Sequence, residues 1–262
     1  MATSALQHPK VVSQAEWLAA RKILLAREKE LTHRRDALAA ERRLLPWVRV
    51  ERNYLFDAPG GKKALAELFD GRSQLAIYHF MFGPDWKEGC PSCSMAADGF
   101  DSVAVHLAQR DVTLAAVSRA TLPQIEAFKN RMGWRFPWVS SNGTSFNSDF
   151  RVSFTREELA AGKCYNFATS GFPADEAPGL SIFHKDATGN VFHTYSTYGR
   201  GLEELLGAYF LLDRVPKGRD EDALPGPMAW VRHHDRYETR PVERQQSAPK
   251  ADSGCCSAGG HQ

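Results

Sequence analysis

The sequence lacks the features that mark several large classes of protein. No apolar run reaches the roughly 18 residues that a membrane-spanning helix needs. Positive and negative charges nearly balance, with 33 lysines and arginines against 31 acidic residues, so no strong field draws the chain to nucleic acid or to an anionic membrane. No glycine-rich phosphate loop occurs, so no organic cofactor is implied. The composition, with 43% hydrophobic and 24% charged residues, is typical of a globular protein.

Two features of the sequence bear on where the chain is expected to reside, namely its few cysteines and its first residues. Its N-terminus shows no charged segment followed by an apolar one, so we expect a cytoplasmic location. In that reducing compartment, five cysteines do not predict a structural disulfide framework. A closely spaced pair there is more often catalytic or metal-binding, which directs attention to Cys90 and Cys93.

Apolar periodicity predicts an α/β fold with a mixed central sheet. A long helix over 13–45 comes first and a closing helix over 201–215 comes last. Between them, strands alternate with helices before a final antiparallel hairpin, an order that makes the sheet part parallel. The predicted strands fall at 73–83, 111–120, 134–141 and within the hairpin 179–199, and the predicted helices at 90–110 and 121–133.

Composition divides the chain into four parts. We expect an N-terminal helical extension at 1–50, a compact domain at 51–215, an irregular but packed C-terminal extension at 216–240, and a disordered tail at 241–262. Within the compact domain, the polar segment 141–176 interrupts the alternation of strands and helices. We interpret it as an insertion that covers or narrows a site on the domain.

Leucines recur on one face of the long N-terminal helix. The helix has two interpretations. It lies on its own domain, which we favour because an exposed helix usually packs somewhere, or it supplies the contact of a homodimer. The recurring residues are Leu18, Leu24, Leu25, Leu31, Leu38 and Leu44.

The stretch Cys-Pro-Ser-Cys follows a buried strand and opens a helix. A Cys-x-x-Cys pair at a helix start brings two sulfurs onto one turn, and the helix end lowers the pKa of the first thiol. Cys90 is therefore the predicted attacking thiolate and Cys93 the resolving thiol. Pro91 stiffens the turn between them, and Trp86 supplies an apolar lip for a substrate. These residues predict a thiol–disulfide oxidoreductase.

The redox interpretation of the pair has two alternatives. A zinc site needs a second cysteine pair or histidines at ligand spacing, and none follows, since Cys164 stands alone; we therefore predict no metal site. The other alternative is a non-catalytic binding protein whose thiols hold a soft metal or a protein partner. The vicinal Cys255 and Cys256 near the C-terminus are candidate accessory thiols that exchange with the core pair or bind a soft metal.

Longer motifs carry a resemblance to known proteins. The element order, with Cys-x-x-Cys between the first core strand and the first core helix, resembles the thioredoxin fold and its peroxiredoxin and thiol–disulfide reductase branch. The motifs "LAIYHFMFGPDW", "CPSCS", "GTSFNSDF", "PGLSIFHKD", "VFHTYSTYGRG" and "WVRHHDRY" resemble a bacterial thioredoxin-like family catalogued as domain of unknown function 899. The resemblance implies a thioredoxin-like domain at 51–215 but assigns no reaction.

The resemblance also implies roles for particular residues. Pro178 matches the proline that faces the dithiol in the thioredoxin fold and follows a cis peptide bond there. A cis proline at this position leaves backbone groups free to bind an extended substrate. The alternative is that Pro178 is an ordinary trans proline at the start of a strand. The substrate is then a disulfide-containing protein or a small thiol compound. Three residues separate Trp86 from Cys90, unlike in thioredoxin, and no threonine precedes Cys90 as in peroxidases, so a peroxidase is not predicted.

Two groups of charged residues have open roles. Glu88, two residues before Cys90, either raises the pKa of that thiol or accepts a proton from Cys93. His233, His234 and Asp235 follow one another, and neighbouring histidines point in different directions, so we do not expect them to share a metal.

Overall fold

The computed structural model describes residues 9–238. The expected tail at 241–262, with Cys255 and Cys256, falls outside the described residues. None of the helices formed by residues 9–238 has the length and apolar character needed to cross a membrane.

The predicted helices and strands occur in the predicted order, and the structure adds strands at 48–49 and 61–64 and a short helix at 146–149 that the sequence analysis does not predict. The helices are α1 (Gln14–Arg43), α2 (Pro91–Ala97), α3 (Phe100–Ala108), α4 (Leu122–Arg131), α5 (Phe146–Asp149), α6 (Arg156–Ala161) and α7 (Gly207–Leu212). The strands are β1 (Val48–Arg49), β2 (Leu55–Ala58), β3 (Gly61–Ala64), β4 (Gln74–His79), β5 (Val112–Ser118), β6 (Trp138–Ser140), β7 (Gly179–Lys185) and β8 (Val191–Tyr198).

The strands form one mixed sheet in the order β1-β8-β7-β4-β5-β6-β2-β3. Strands β4, β5 and β6 run parallel, as expected for strands joined by crossover helices. Strand β7 is antiparallel to both of its neighbours, β4 and β8. The four central strands β8-β7-β4-β5 are the sheet of a thioredoxin-like fold, so the predicted α/β class is confirmed.

Strand β4 is covered on both faces, as its almost continuous apolar sequence predicts. Alternate side chains point to opposite sides of a sheet. Leu75 and Ile77 accordingly pack in one core layer, whereas Ala76, Tyr78 and Phe80 pack in the other, together with Cys93. The second layer is therefore the one beneath the predicted dithiol.

Two predicted helices are interrupted. The helix expected over 90–110 divides into α2 and α3 at Gly99. The closing helix expected over 201–215 begins as a 3-10 helix, Gly199–Leu205, and becomes α-helical only at α7. Leu206 separates the two with extended backbone angles of φ −99° and ψ 81°. The C-terminal extension that follows is irregular, as predicted, with one short 3-10 turn at His234–Arg236.

Helix α1 contacts its own domain through polar side chains of its C-terminal half, but it does not pack on the domain as the interpretation favoured from sequence predicts. Ser13 and Glu16 form a capping box at its start, yet no residue of α1 is buried. Arg35 pairs with Glu204 at 3.2 Å, a contact in the C-terminal half of the helix. Apolar side chains such as Leu31, at 59% exposure, face solvent. A homodimer through α1 stays a prediction.

Candidate active site

The dithiol lies where the loop after β4 meets α2. Cys90 is the residue that caps α2, and Pro91 is its first helical residue, a position where the missing N–H of proline costs nothing. The Cys90 N–H donates to the Met81 carbonyl at 3.0 Å. The Cys90 carbonyl accepts from the Ser94 N–H and from the Ser94 hydroxyl, both at 2.9 Å. The backbone of Cys90 is thus held on both sides.

The two thiols differ in accessibility. Cys93 is 1% exposed and belongs to the core layer beneath the helix, whereas Cys90 is only partly buried. Both are free thiols. An incoming disulfide can therefore reach Cys90 but not Cys93.

The pKa values of the two thiols are shifted in opposite directions. The largest effect on the pKa of Cys90 is the hydrogen bond from the Cys93 thiol, which lowers it. The backbone N–H groups of Cys93 and Ser92 lower it further. Together these bonds outweigh the effect of burial, and the pKa of Cys90 is about 7. Burial raises the pKa of Cys93 well above its usual range, and the neighbouring Cys90 raises it further. Near neutral pH, negative charge is therefore held at Cys90 and the proton at Cys93.

Tyr78 lies under the buried thiol and was missed by sequence reasoning. It is 3% exposed on β4, and its hydroxyl and the Cys93 thiol are hydrogen-bonding partners. Burial raises the pKa of Tyr78, so the hydroxyl stays neutral and can donate. Its hydrogen bond lowers the pKa of Cys93, against the larger effect of burial.

The irregular C-terminal extension returns to the dithiol loop. We call residues 230–237 the C-terminal strap. The His233 ring is 3% exposed; its Nε2 lies 2.8 Å from the Gly89 carbonyl, and its Nδ1 lies 3.1 Å from Arg131 Nη2. Because a guanidinium can only donate, Nδ1 accepts and Nε2 carries the proton that is donated to Gly89. The strap is thereby fixed directly beside Cys90.

Charged groups reinforce this attachment. Arg131 donates to both carboxylate oxygens of Asp235 at 2.8 Å and to Glu88 at 3.0 Å. Arg236 also donates to Glu88 with both terminal nitrogens. The hydrogen bond from Arg236 is the main reason that the pKa of Glu88 is lowered. Glu88 therefore holds the strap as a carboxylate, a role that sequence reasoning did not consider.

An open cavity of about 260 Å³ lies beside Cys90. It brings the predicted Trp86, Cys90 and Pro91 together with side chains of the strap. Cys93 does not line it, in keeping with its burial. The lining residues are Trp86, Glu88, Gly89, Cys90, Pro91, Arg232, His233 and Arg236.

Pro178 differs from what the resemblance implies. No cis peptide bond occurs within residues 9–238, so the bond before Pro178 is trans. Its carbonyl accepts a hydrogen bond from the Tyr165 hydroxyl at 2.5 Å, and the residue does not line the cavity at Cys90. Its role in substrate binding stays a prediction.

The remaining thiols lie elsewhere. Cys164 is buried in a separate apolar cluster with Tyr165 and Phe154, as expected of a cysteine that only packs. The accessory candidates Cys255 and Cys256 are outside the described residues. Over the part of the chain that the structure describes, no three histidine, cysteine or acidic side chains converge as metal ligands.

We predict that alkylation of Cys90 reaches half its maximal rate near pH 7. The thiolate is the reactive form, so the rate falls about tenfold for each pH unit below the pKa and levels off above it. Iodoacetamide rates between pH 5 and 9, with the modified peptide identified by mass spectrometry, measure this midpoint. Cys93→Ser removes the thiol that lowers the pKa most and should move the midpoint upward. A midpoint near the ordinary value of 9.0 in the unaltered protein would contradict the prediction.

Comparison with known proteins gives one family and a set of distant structural neighbours. A family described as "Bacterial protein of unknown function (DUF899)" matches residues 6–237. No curated protein is significantly similar to the chain.

The solved structures that resemble the chain include peroxiredoxins. A mutant of Xanthomonas campestris peroxiredoxin Q is 14% identical, with 64% of this chain and 98% of that one covered and a TM-score of 0.44. Mycobacterium tuberculosis peroxidoxin BcpB is 11% identical, with 62% and 94% covered and a TM-score of 0.43. The mitochondrial 2-Cys peroxiredoxin of Plasmodium falciparum is 12% identical, with 64% and 93% covered and a TM-score of 0.38. Likenesses this distant carry no information about the reaction.

Proposed function

The chain belongs to the DUF899 family of bacterial proteins, whose description assigns no reaction, and from the geometry of its dithiol we propose that it is a thiol–disulfide oxidoreductase. The observation that supports this most is the asymmetry of the pair. Cys90 is accessible and has a pKa lowered to about 7, whereas Cys93 is buried and has a raised pKa. Attack and resolution need these two different thiols.

The first step forms a mixed disulfide. The Cys90 thiolate attacks one sulfur of a substrate disulfide, the substrate S–S bond breaks, and the departing thiolate takes a proton from water. Hydrogen bonds from Ser92 and Cys93 hold the attacking thiolate. The cavity that Trp86 and Pro91 line is the space beside Cys90 in which the substrate sulfur can approach.

The second step forms the intramolecular disulfide. Cys93 loses its proton to water and its thiolate attacks the sulfur of Cys90. The bond between Cys90 and the substrate sulfur breaks, and the second substrate thiolate leaves and takes a proton from water. The substrate gains two electrons and becomes two thiols, and the protein dithiol loses two electrons; a dithiol or monothiol reductant restores it. The Tyr78 hydroxyl, a hydrogen-bonding partner of Cys93, stabilises the Cys93 thiolate as it forms.

A single-turnover experiment tests this function. Reduced protein mixed with excess bis(2-hydroxyethyl) disulfide, which is neutral, should release two thiols for each Cys90–Cys93 pair that is oxidised, and that pair should lose the mass of two hydrogens. Peptide mapping should place the new disulfide between Cys90 and Cys93. Hydrogen peroxide is run in parallel. If peroxide oxidised the protein and the disulfide did not react, the protein would be a peroxidase and not a thiol–disulfide oxidoreductase. If neither compound reacted, the result would favour the binding-protein alternative.

A further inference from the structure

We propose that the strap makes the cavity at Cys90 a subsite for small disulfides that carry a carboxylate near the sulfur. This inference rests on the proposed oxidoreductase function and names its substrate class. The cavity has two kinds of wall. Trp86 and Pro91 supply apolar surface, and Arg232 and Arg236 supply basic residues to the same lining.

The charges around the cavity leave one guanidinium without a carboxylate. Arg131 and Arg236 are paired with Glu88 and Asp235, so these four groups nearly cancel. Arg232 forms no ion pair with any residue between 9 and 238. Among the arginines around the cavity, Arg232 is therefore the one whose guanidinium has no carboxylate partner within residues 9–238.

Arg232 is exposed to solvent, but hydrogen bonds restrain its guanidinium group. Its Nη1 donates to the carbonyls of Ala229 at 3.0 Å and Val231 at 2.9 Å. Its backbone N–H donates to the Tyr237 hydroxyl at 3.1 Å. A guanidinium has five N–H donors, so donors beyond Nη1 can bind a carboxylate in the two-pronged manner that arginine favours. Because the side chain is already fixed, binding loses little conformational entropy.

The volume of the cavity favours a small substrate. About 260 Å³ is slightly below the usual range for pockets that bind drug-sized molecules, which suits a small organic disulfide. A carboxylate two or three carbons from the sulfur can contact Arg232 while the sulfur lies against Cys90. His233 does not compete for that carboxylate, because Arg131 and the Gly89 carbonyl already occupy its two ring nitrogens.

The test compares three disulfides of similar size and different charge. They are 3,3′-dithiodipropionate, which is anionic, bis(2-hydroxyethyl) disulfide, which is neutral, and cystamine, which is cationic. Each rate with the reduced protein is divided by the rate of the same disulfide with free 2-mercaptoethanol. We expect the anionic disulfide to be favoured over the neutral one by about tenfold, and the preference to weaken as salt is added.

Substitutions identify the residue responsible. Arg232→Gln should remove the preference for the anionic disulfide, measured as the ratio of the anionic to the neutral rate in the same variant, whereas Arg232→Lys should retain part of it. Arg135→Gln is the matched control, since Arg135 is a highly exposed arginine outside the cavity. Equal preference in the unaltered protein and in Arg232→Gln would overturn the subsite. Failure of all three disulfides to react at Cys90 would instead overturn the proposed function.

Discussion

Cys90→Ser should abolish reduction of disulfides, lowering the rate by about 10³-fold or more. A serine hydroxyl is not ionised near neutral pH, so no nucleophile remains at the accessible position.

Cys93→Ser should instead stop the reaction after its first step. The first attack still occurs, but nothing resolves the product, and a mixed disulfide with the substrate accumulates on Cys90. Intact-protein mass spectrometry after mixing with bis(2-hydroxyethyl) disulfide distinguishes unmodified, adducted and oxidised protein.

Cys164→Ser provides the control for this pair of variants. Cys164 is also a free and buried thiol, but it belongs to a different cluster, so its loss should leave the reaction unchanged. If Cys90→Ser formed the trapped adduct and Cys93→Ser were inert, the assignment of the two roles would be reversed. Activity in Cys90→Ser would contradict the mechanism.

Gly89→Ala should disrupt the site through packing alone. A Cβ atom at position 89 would lie 2.6 Å from the ring of Phe80 and 2.9 Å from the ring of Phe128, and both rings are fixed in the core. The loop must therefore move, which shifts Cys90 and weakens the contact of His233 with the Gly89 carbonyl. We expect the free energy of unfolding to fall by about 1–3 kcal/mol and the rate at Cys90 to fall by about 10²-fold.

Gly99→Ala is the matched control for that substitution. Position 99 has φ −88°, which suits alanine, and the nearest atom to an added Cβ is the Ala96 carbonyl oxygen at 3.6 Å, an ordinary contact. Denaturant unfolding should show a change within about 0.5 kcal/mol, and the rate with the neutral disulfide should stay the same. If the two variants behaved alike, the packing of Gly89 would not position Cys90.

The sequence predicts those parts of the fold that local patterns determine. Thr121 and Pro123 mark the start of α4, and the Gln124 side chain accepts hydrogen bonds there from the Thr121 N–H and hydroxyl. The apolar run over 73–83 becomes a strand buried on both faces. The break at Gly99 and the 3-10 start of the closing helix were not predicted, because apolar spacing alone does not separate a continuous helix from two short ones.

The candidate site could be predicted only in part, and the missing residues have two different explanations. Tyr78 could have been found, because residues two apart on a strand share a face, and Tyr78 therefore lies on the same side of β4 as Phe80. His233 is 144 positions from Gly89 in a segment without periodicity, so no local pattern connects the two. The apolar Met228 and Trp230 just before it, which pack against the core, were the available signal that this segment returns to the domain.

The central claim is that Cys90 and Cys93 form a reversible redox pair, and its most direct test is their reduction potential. The protein is equilibrated in a series of glutathione or dithiothreitol buffers, its thiols are trapped, and the oxidised fraction of each cysteine is measured by mass spectrometry. We predict one two-electron transition, confined to Cys90 and Cys93, between about −300 and −120 mV. Absence of a Cys90–Cys93 disulfide at every potential, or a transition that involves a different cysteine, would contradict the claim.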